Sequence, residues 1–272
     1  MKSGELFVDD IDVFDEYGVY VVTGGWNDLV AFPPLKAIDY NDWHEYDGIE
    51  ADLSDPKLNS REVSMKFASV GGFNAFVGLL LTAPKHTFNC AAIGRSFTLR
   101  LVQQPNLQEA RELGLLTVKL ADDEPMDREK HDRLAPQRPS IVPASTAWRL
   151  DSYNFSTYGV RVLAGSQSEL DKAPAVKLNL LRNIKTQTGA IYDGRLLTKQ
   201  SKDVKLSCLM RADSLTQFWR NHDTLLYDLI QPDERKLNRT IPCYYKSSSV
   251  SEFFPEGNPW MKFSLTLCVT KP

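Results

Sequence analysis

Phe14-Asp-Glu-Tyr-Gly-Val-Tyr-Val21 and Phe155-Ser-Thr-Tyr-Gly-Val-Arg-Val162 are one phrase written twice, 141 residues apart. With that displacement held and no gap opened, Gly24, Leu29, Pro33, Lys36, Gly48, Asp52, Ser60 and Val63 fall on Gly165, Leu170, Pro174, Lys177, Gly189, Asp193, Ser201 and Val204. Thirteen identities accumulate over the fifty-four positions from Phe14 to Phe67. Ordinary residue frequencies would give about three or four. Arg61-Glu62 over Lys202-Asp203 and Met65 over Leu206 are conservative pairs in the same frame. The chain therefore reads as an internal duplication, two copies of one fold.

A length of 272 residues accommodates two units, each long enough to bury its own core. The first is expected over residues 1–120 and the second over 146–272. Between them, residues 121–145 are charged and proline-bearing, with little to bury. They read as an exposed arm or linker open to trypsin at Arg128, Lys130 or Arg133, although Pro125–Arg133 has some helical character. The net charge of −3 is too small to argue for nucleic-acid steering. The longest apolar run, Phe76–Leu81, covers six residues, far short of the roughly 18 that span a bilayer as a helix. The acidic start at Asp9, Asp10 and Asp12 is unlike a signal peptide.

Within each unit the pattern is mostly that of strands. Gly18–Val22 and Gly159–Leu163 are short β-branched runs, and Arg61–Phe67 and Lys202–Cys208 alternate polar with apolar. The period then changes to that of a helix. Phe73, Phe76, Val77, Leu80 and Leu81 recur at helical spacing in the first unit, as do Leu215, Phe218, Trp219, Leu226 and Leu229 in the second, with Asp213 or Ser214 placed to cap. Ser96–Val102 and Thr240–Lys246 return to strand, and Leu113–Leu120 and Met261–Val269 close the units. The expected fold is mainly β with some α: two tandem antiparallel β-sandwich or barrel domains, each with one flanking helix.

The search for chemistry yields no catalytic, cofactor-binding or metal residue. Asp39, Asp42, His44, Glu45 and Asp47 form the richest polar cluster, but their spacing fits neither a calcium loop nor a zinc helix. The matching stretch of the second unit, Leu180–Gly189, keeps only the glycine, so the cluster reads as a shared turn bearing solvated charges. Cys90, Cys208, Cys243 and Cys268 lack metal or disulfide spacing and read as buried free thiols in a reducing compartment. His222 falls on the apolar face of its helix and reads as a core or interface residue, and His131 lies in the linker. Gly71-Gly72 reads as a strand-to-helix turn.

The order of elements resembles phage tail-tube-type domains, above all the N-terminal ring domain of siphophage distal tail proteins. The likeness is carried by Lys202–Cys208, Ala212–Trp219, Arg239–Lys246 and Met261–Pro272, and in the first unit by Arg61–Phe67, Phe73–Leu81, Arg95–Val102 and Leu115–Leu120. Two such domains in tandem look like tail hub proteins, in which a trimer mimics a six-fold ring. The resemblance implies a structural subunit, not an enzyme, that self-associates into a trimeric or hexameric ring. It would touch neighbouring tail or baseplate proteins and bind no cofactor, specific nucleic acid or membrane. Such a protein is made in the cytoplasm and ends in a virion tail or tail-like particle.

Two other classes are consistent with the residues. A tandem β-sandwich module could bind a ligand or glycan if Trp26, Trp43, Trp148 and Trp260 were exposed on one face. An enzyme could use Asp42, His44 and Asp47.

Overall fold

A computed structural model describes residues 2–108, 110, 114–178, 181–192, 194 and 197–272. Asp193, one of the repeated identities, and Leu113, at the expected start of a closing strand, lie outside them. The first unit contributes β1 (Phe7–Val8), β2 (Ile11–Asp12), β3 (Val19–Val21), β4 (Tyr40–Asn41), β5 (Glu50–Ala51), β6 (Arg61–Ser69), β7 (Lys85–Cys90), β8 (Arg95–Leu101) and β9 (Leu115–Asp122). The second contributes β10 (Arg149–Leu150), β11 (Tyr153–Asn154), β12 (Val160–Val162), β13 (Leu181–Asn183), β14 (Ala190–Tyr192), β15 (Lys202–Arg211), β16 (Arg235–Leu237), β17 (Ile241–Phe254) and β18 (Trp260–Val269). The α-helices that matter for the site are, among the described residues, α1 (Val13–Tyr17), α2 (Asn27–Val30), α3 (Asn74–Leu80), α4 (Ser166–Asp171) and α5 (Leu215–Leu229).

Each unit builds one seven-stranded antiparallel sheet, in the order β2-β1-β7-β8-β9-β6-β3 and β11-β10-β16-β17-β18-β15-β12. The two orders are the same once the strands are numbered within each unit. Register agrees as well: Val19 faces Ser69 and Val160 faces Met210, each 141 residues on. A two-stranded ribbon projects from each unit, β4–β5 from the first and β13–β14 from the second. The mainly β fold with one principal helix flanking each sheet is thus the observed architecture. The short helices α1, α2 and α4, the ribbons and the strands β7 and β16 add to what the periodicity revealed.

Local chemistry explains the repeated parts. In β6, Arg61, Val63, Met65 and Phe67 are buried while Glu62 and Lys66 are exposed and Ser64 is half-buried, the alternation of a sheet with one dry face. Gly18 and Gly159 both end a helical turn in the left-handed region, at φ 64° and 77°. Ser214 caps α5 by accepting from the Gln217 N–H, while Asp213 instead accepts from Ser140. Asp9 and Asp151 are a further matched pair, both at φ near 50°. Asp9 accepts from the Thr87 N–H and pairs with His86; Asp151 accepts from the Lys236 N–H and pairs with Arg235.

The units share one continuous apolar core, and α5 lies where they meet. Phe218 packs on Phe253 of its own unit, while Trp219 donates its indole N–H to Ile93 O across the junction. The segment 121–145 buries little, in keeping with its composition, but it is tied along α5 and contains no helix. Arg133 makes two hydrogen bonds to Asp228, Gln137 N–H donates to Asn221, and Ser140 is held by Asp213. It is a strap, exposed or half-buried along most of its length, fastened to the second unit and also paired with the first through Glu129–Lys57 and Arg128–Asp55.

Candidate functional site

The most elaborate polar construction in the molecule lies where the first ribbon meets the second unit. The chain from Trp43 to Gly48 turns tightly, with Tyr46 N–H donating to Trp43 O, and Gly48 takes φ 75°. This turn aims three carbonyls, of Trp43, Tyr46 and Gly48, at the ammonium of Lys177, which donates to them at 2.7, 2.8 and 2.6 Å. The Lys177 side chain is 3% exposed, and Asp42 supplies its counter-charge. An ammonium has three donors and no acceptor, so three carbonyls satisfy it and the carboxylate neutralises it. Around this point Gly48 N–H donates to Lys199 O, Ile49 N–H to Thr270 O, and the Lys199 N–H to Asp47. The approach is close enough that a Cβ on Gly48 would sit 1.7 Å from Thr270 O.

This placement accounts for the acidic cluster. Asp42 and Asp47 are docking groups, Asp39 lends its carbonyl to Asp52 N–H, His44 lends its carbonyl to the Thr198 hydroxyl, and Glu45 is exposed. They do not converge on a common point, and among the described residues no three His, Cys, Asp or Glu side chains group as metal ligands. Lys177 is the residue that composition and spacing did not single out. Its match with Lys36 in the repeat was the available signal.

A second seam runs from α2 to Leu35 and lies along β17. Phe32 N–H donates to the Ser248 hydroxyl, Leu35 N–H to Lys246 O, and the Tyr245 hydroxyl donates to Pro33 O at 2.9 Å. Beside it, Arg61 and Arg95 line a cleft of about 200 Å³ with Trp219 and His222. Arg61 ties Asp122 at 2.7 Å and donates to the carbonyls of Leu29 and Ala31, which end α2. Lys202, its partner in the repeat, reaches the carbonyls of Leu170 and Lys172 at the end of α4 in the same manner. Arg95 pairs with Asp223, and His222 presents its two ring nitrogens to Val30 O and Asp223. Burial pushes the His222 imidazole below its ordinary range. The expectation of a core or interface histidine describes it.

The four cysteines are buried free thiols, and burial pushes Cys90, Cys208 and Cys243 up to about 12, where thiolate is scarce. Trp26 is buried, Trp148 and Trp260 are half-buried, and Trp43 on the first ribbon is exposed. The four do not form one aromatic platform. Among the described residues no helix is long and apolar enough to cross a membrane. No protein-family model matches the sequence, and no curated protein or solved structure matches it either.

Proposed function

We propose that the chain is a structural subunit of a phage or prophage-type tail, of the distal-tail, tube or hub kind, working by ring assembly instead of catalysis. It would be made in the cytoplasm, join copies of itself as a trimer or hexamer, and contact neighbouring tail or baseplate proteins. One observation carries the reading: two units of identical strand order are joined inside the chain by a ribbon from one seated on the next. A contact of that kind between like units is head-to-tail, and repetition around a closing rotation makes a ring. The resemblance of the element order to tail-tube domains supplies the biological setting.

Sedimentation velocity of the full chain over a wide concentration range, with negative-stain imaging of the heaviest species, tests it. Ring particles of three or six chains are the expected result. A strict monomer at the highest soluble concentration, with no rings on the grid, would contradict it.

A further inference from the structure

The turn end of the first ribbon is seated on its neighbour, with Gly48 and Ile49 buried; the matching Gly189 and Ala190 of the second ribbon are exposed. The strands of both ribbons are exposed, apart from the half-buried Ala51, so the difference lies at the turn end. Seven of the seventeen large apolar side chains that are exposed among the described residues fall between Val176 and Leu197, with Leu178 at 85% and Leu197 at 75%. Apolar side chains massed on one projecting element mark a contact surface.

The turn of this ribbon already has the shape of the docked one. Gln187 N–H donates to Ile184 O at 3.1 Å, as Tyr46 N–H donates to Trp43 O at 3.3 Å. Gly189 takes φ 85° where Gly48 takes 75°. The carbonyls of Ile184, Gln187 and Gly189 therefore stand in the places of those that hold Lys177. Within the chain, nothing lies within 4 Å of a Cβ built on Gly189.

The receiving surface is repeated too. Lys36 occupies the position of Lys177, and its backbone is fixed alike: Lys36 N–H donates to Lys57 O and Lys177 N–H to Thr198 O, beside matched bridges Leu35–Leu58 and Val176–Lys199. Yet Lys36 is exposed, and among the described residues its ammonium has no hydrogen-bond or ionic partner. It borders a groove of about 640 Å³ with Lys57, Leu58 and Asp123, whose far wall is the strap. Asp123 follows β9 as Thr270 follows β18. Further along, Leu35 N–H bonds to Lys246 O in the seated seam; the corresponding residues, Val176 and Val102, are 45% and 40% exposed.

We propose that β13–β14 seats in the Lys36 groove on the first unit of a second copy of this chain, so that copies join head to tail through the contact that joins the two units within each. The proposal rests on the assembly reading above and names the surfaces that carry it. Lys36 would take the carbonyls of Ile184, Gln187 and Gly189, and the Ala190 N–H would meet Asp123 O. The turn charges differ between the ribbons, Asp42, Glu45 and Asp47 in one and Arg182 and Lys185 in the other, which keeps each ribbon to its own groove.

The test uses the full chain. Lys36→Glu places an anion against three carbonyls and should weaken self-association roughly 100-fold, while its thermal unfolding stays that of the wild type because the side chain is exposed. A double variant, Asp123→Cys with Ala190→Cys, should oxidise to a chain-to-chain ladder on a non-reducing gel, which neither single variant gives; the native cysteines are buried. If the wild type assembles but Lys36→Glu assembles equally well, or the double variant fails to cross-link, the proposed interface is overturned while the ring reading stands. A wild type that never self-associates overturns both.

Discussion

The two ribbons have the same pairing, the same tight turn and the same left-handed glycine, yet one is docked through the buried Gly48 and Ile49 at the end of its turn while the matching Gly189 and Ala190 lie in solvent. The docked ribbon belongs to the unit whose turn meets Lys177 and Thr270 of the other unit within the chain. Its docking chemistry is a lysine ammonium capped by backbone carbonyls, which depends on turn shape more than on side-chain identity. That is why a glycine and a lysine persist in both copies while the acidic residues around them do not. The flanking apolar residues diverge as well. Ile49 and Leu53 are buried against the second unit, whereas Ala190 and Gly194 stand at the matching positions and the apolar weight moves to Leu181, Ile191 and Leu197. Duplicated surfaces that meet different partners keep the backbone geometry and re-tailor the side chains.

Removing the lysines should break this comparison most sharply. Lys177→Met leaves three carbonyls and Asp42 without their cation in a buried seam, at a cost of about 4 kcal/mol. Lys36→Met removes an exposed side chain and should change the stability of the isolated chain by less than about 0.5 kcal/mol. Chemical denaturation of both variants at a concentration that keeps the chain monomeric checks the contrast. Equal losses would mean that Lys177 is not the anchor described.

The cations that close α2 and α4 give a second, smaller contrast. Arg61 is buried and also neutralises Asp122, so Arg61→Met should cost about 3 kcal/mol, most of it from the charge left on Asp122. Lys202 has only helix-end carbonyls to hold, because Val269 stands where Asp122 does in the first sheet. Lys202→Met should cost about 1 kcal/mol. Urea titrations of the two variants, with Asp122→Asn added to the first as a partial rescue, decide the point.

Of the two principal helices, α5 alone carries a histidine, buried at the junction, and acid should find it. The His222 imidazole is held below 6.5 by burial, against the opposing pull of Asp223, so the unfolded chain binds its proton first. Stability from this group is complete above pH 6.5 and is lost as pH falls below it. The melting temperature should drop by a few degrees between pH 7 and pH 5, and His222→Gln should flatten that slope. A separate decline belongs below about pH 4. There the Asp9 carboxyl, for which burial is outweighed by His86 and the Thr87 N–H, becomes protonated.

Much of the fold was legible because the repeat keeps one frame from Phe14 to Phe67, which covers β3, the ribbons and β6. The frame breaks where α5 runs fifteen residues against seven for α3, so β7 and β16 are displaced by 149 instead of 141 and no ungapped alignment reaches them. Strands as short as β16, and the aspartate turns at Asp9 and Asp151, offer no hydrophobic period to detect. The docking site was hidden for another reason. The acidic residues drew attention as a cluster, whereas the energy lies in carbonyls, which every sequence has, and in one second-unit lysine whose burial only the docked first ribbon creates. The attachment of the strap was not legible because composition records how little it buries and not that Asp228, Asn221 and Asp213 on and beside α5 wait to bind it.

Hydrogen exchange at single-residue resolution, followed from dilute to concentrated protein, tests the comparison most directly. The amides of Gly48 and Ile49 donate to the second unit within the chain and should be protected at every concentration. Those of Gly189 and Ala190 should exchange quickly in dilute solution and become protected only as copies join. Protection of both ribbons in the dilute monomer, or a second ribbon that stays fast when the chain has assembled, would contradict the picture of one contact used twice.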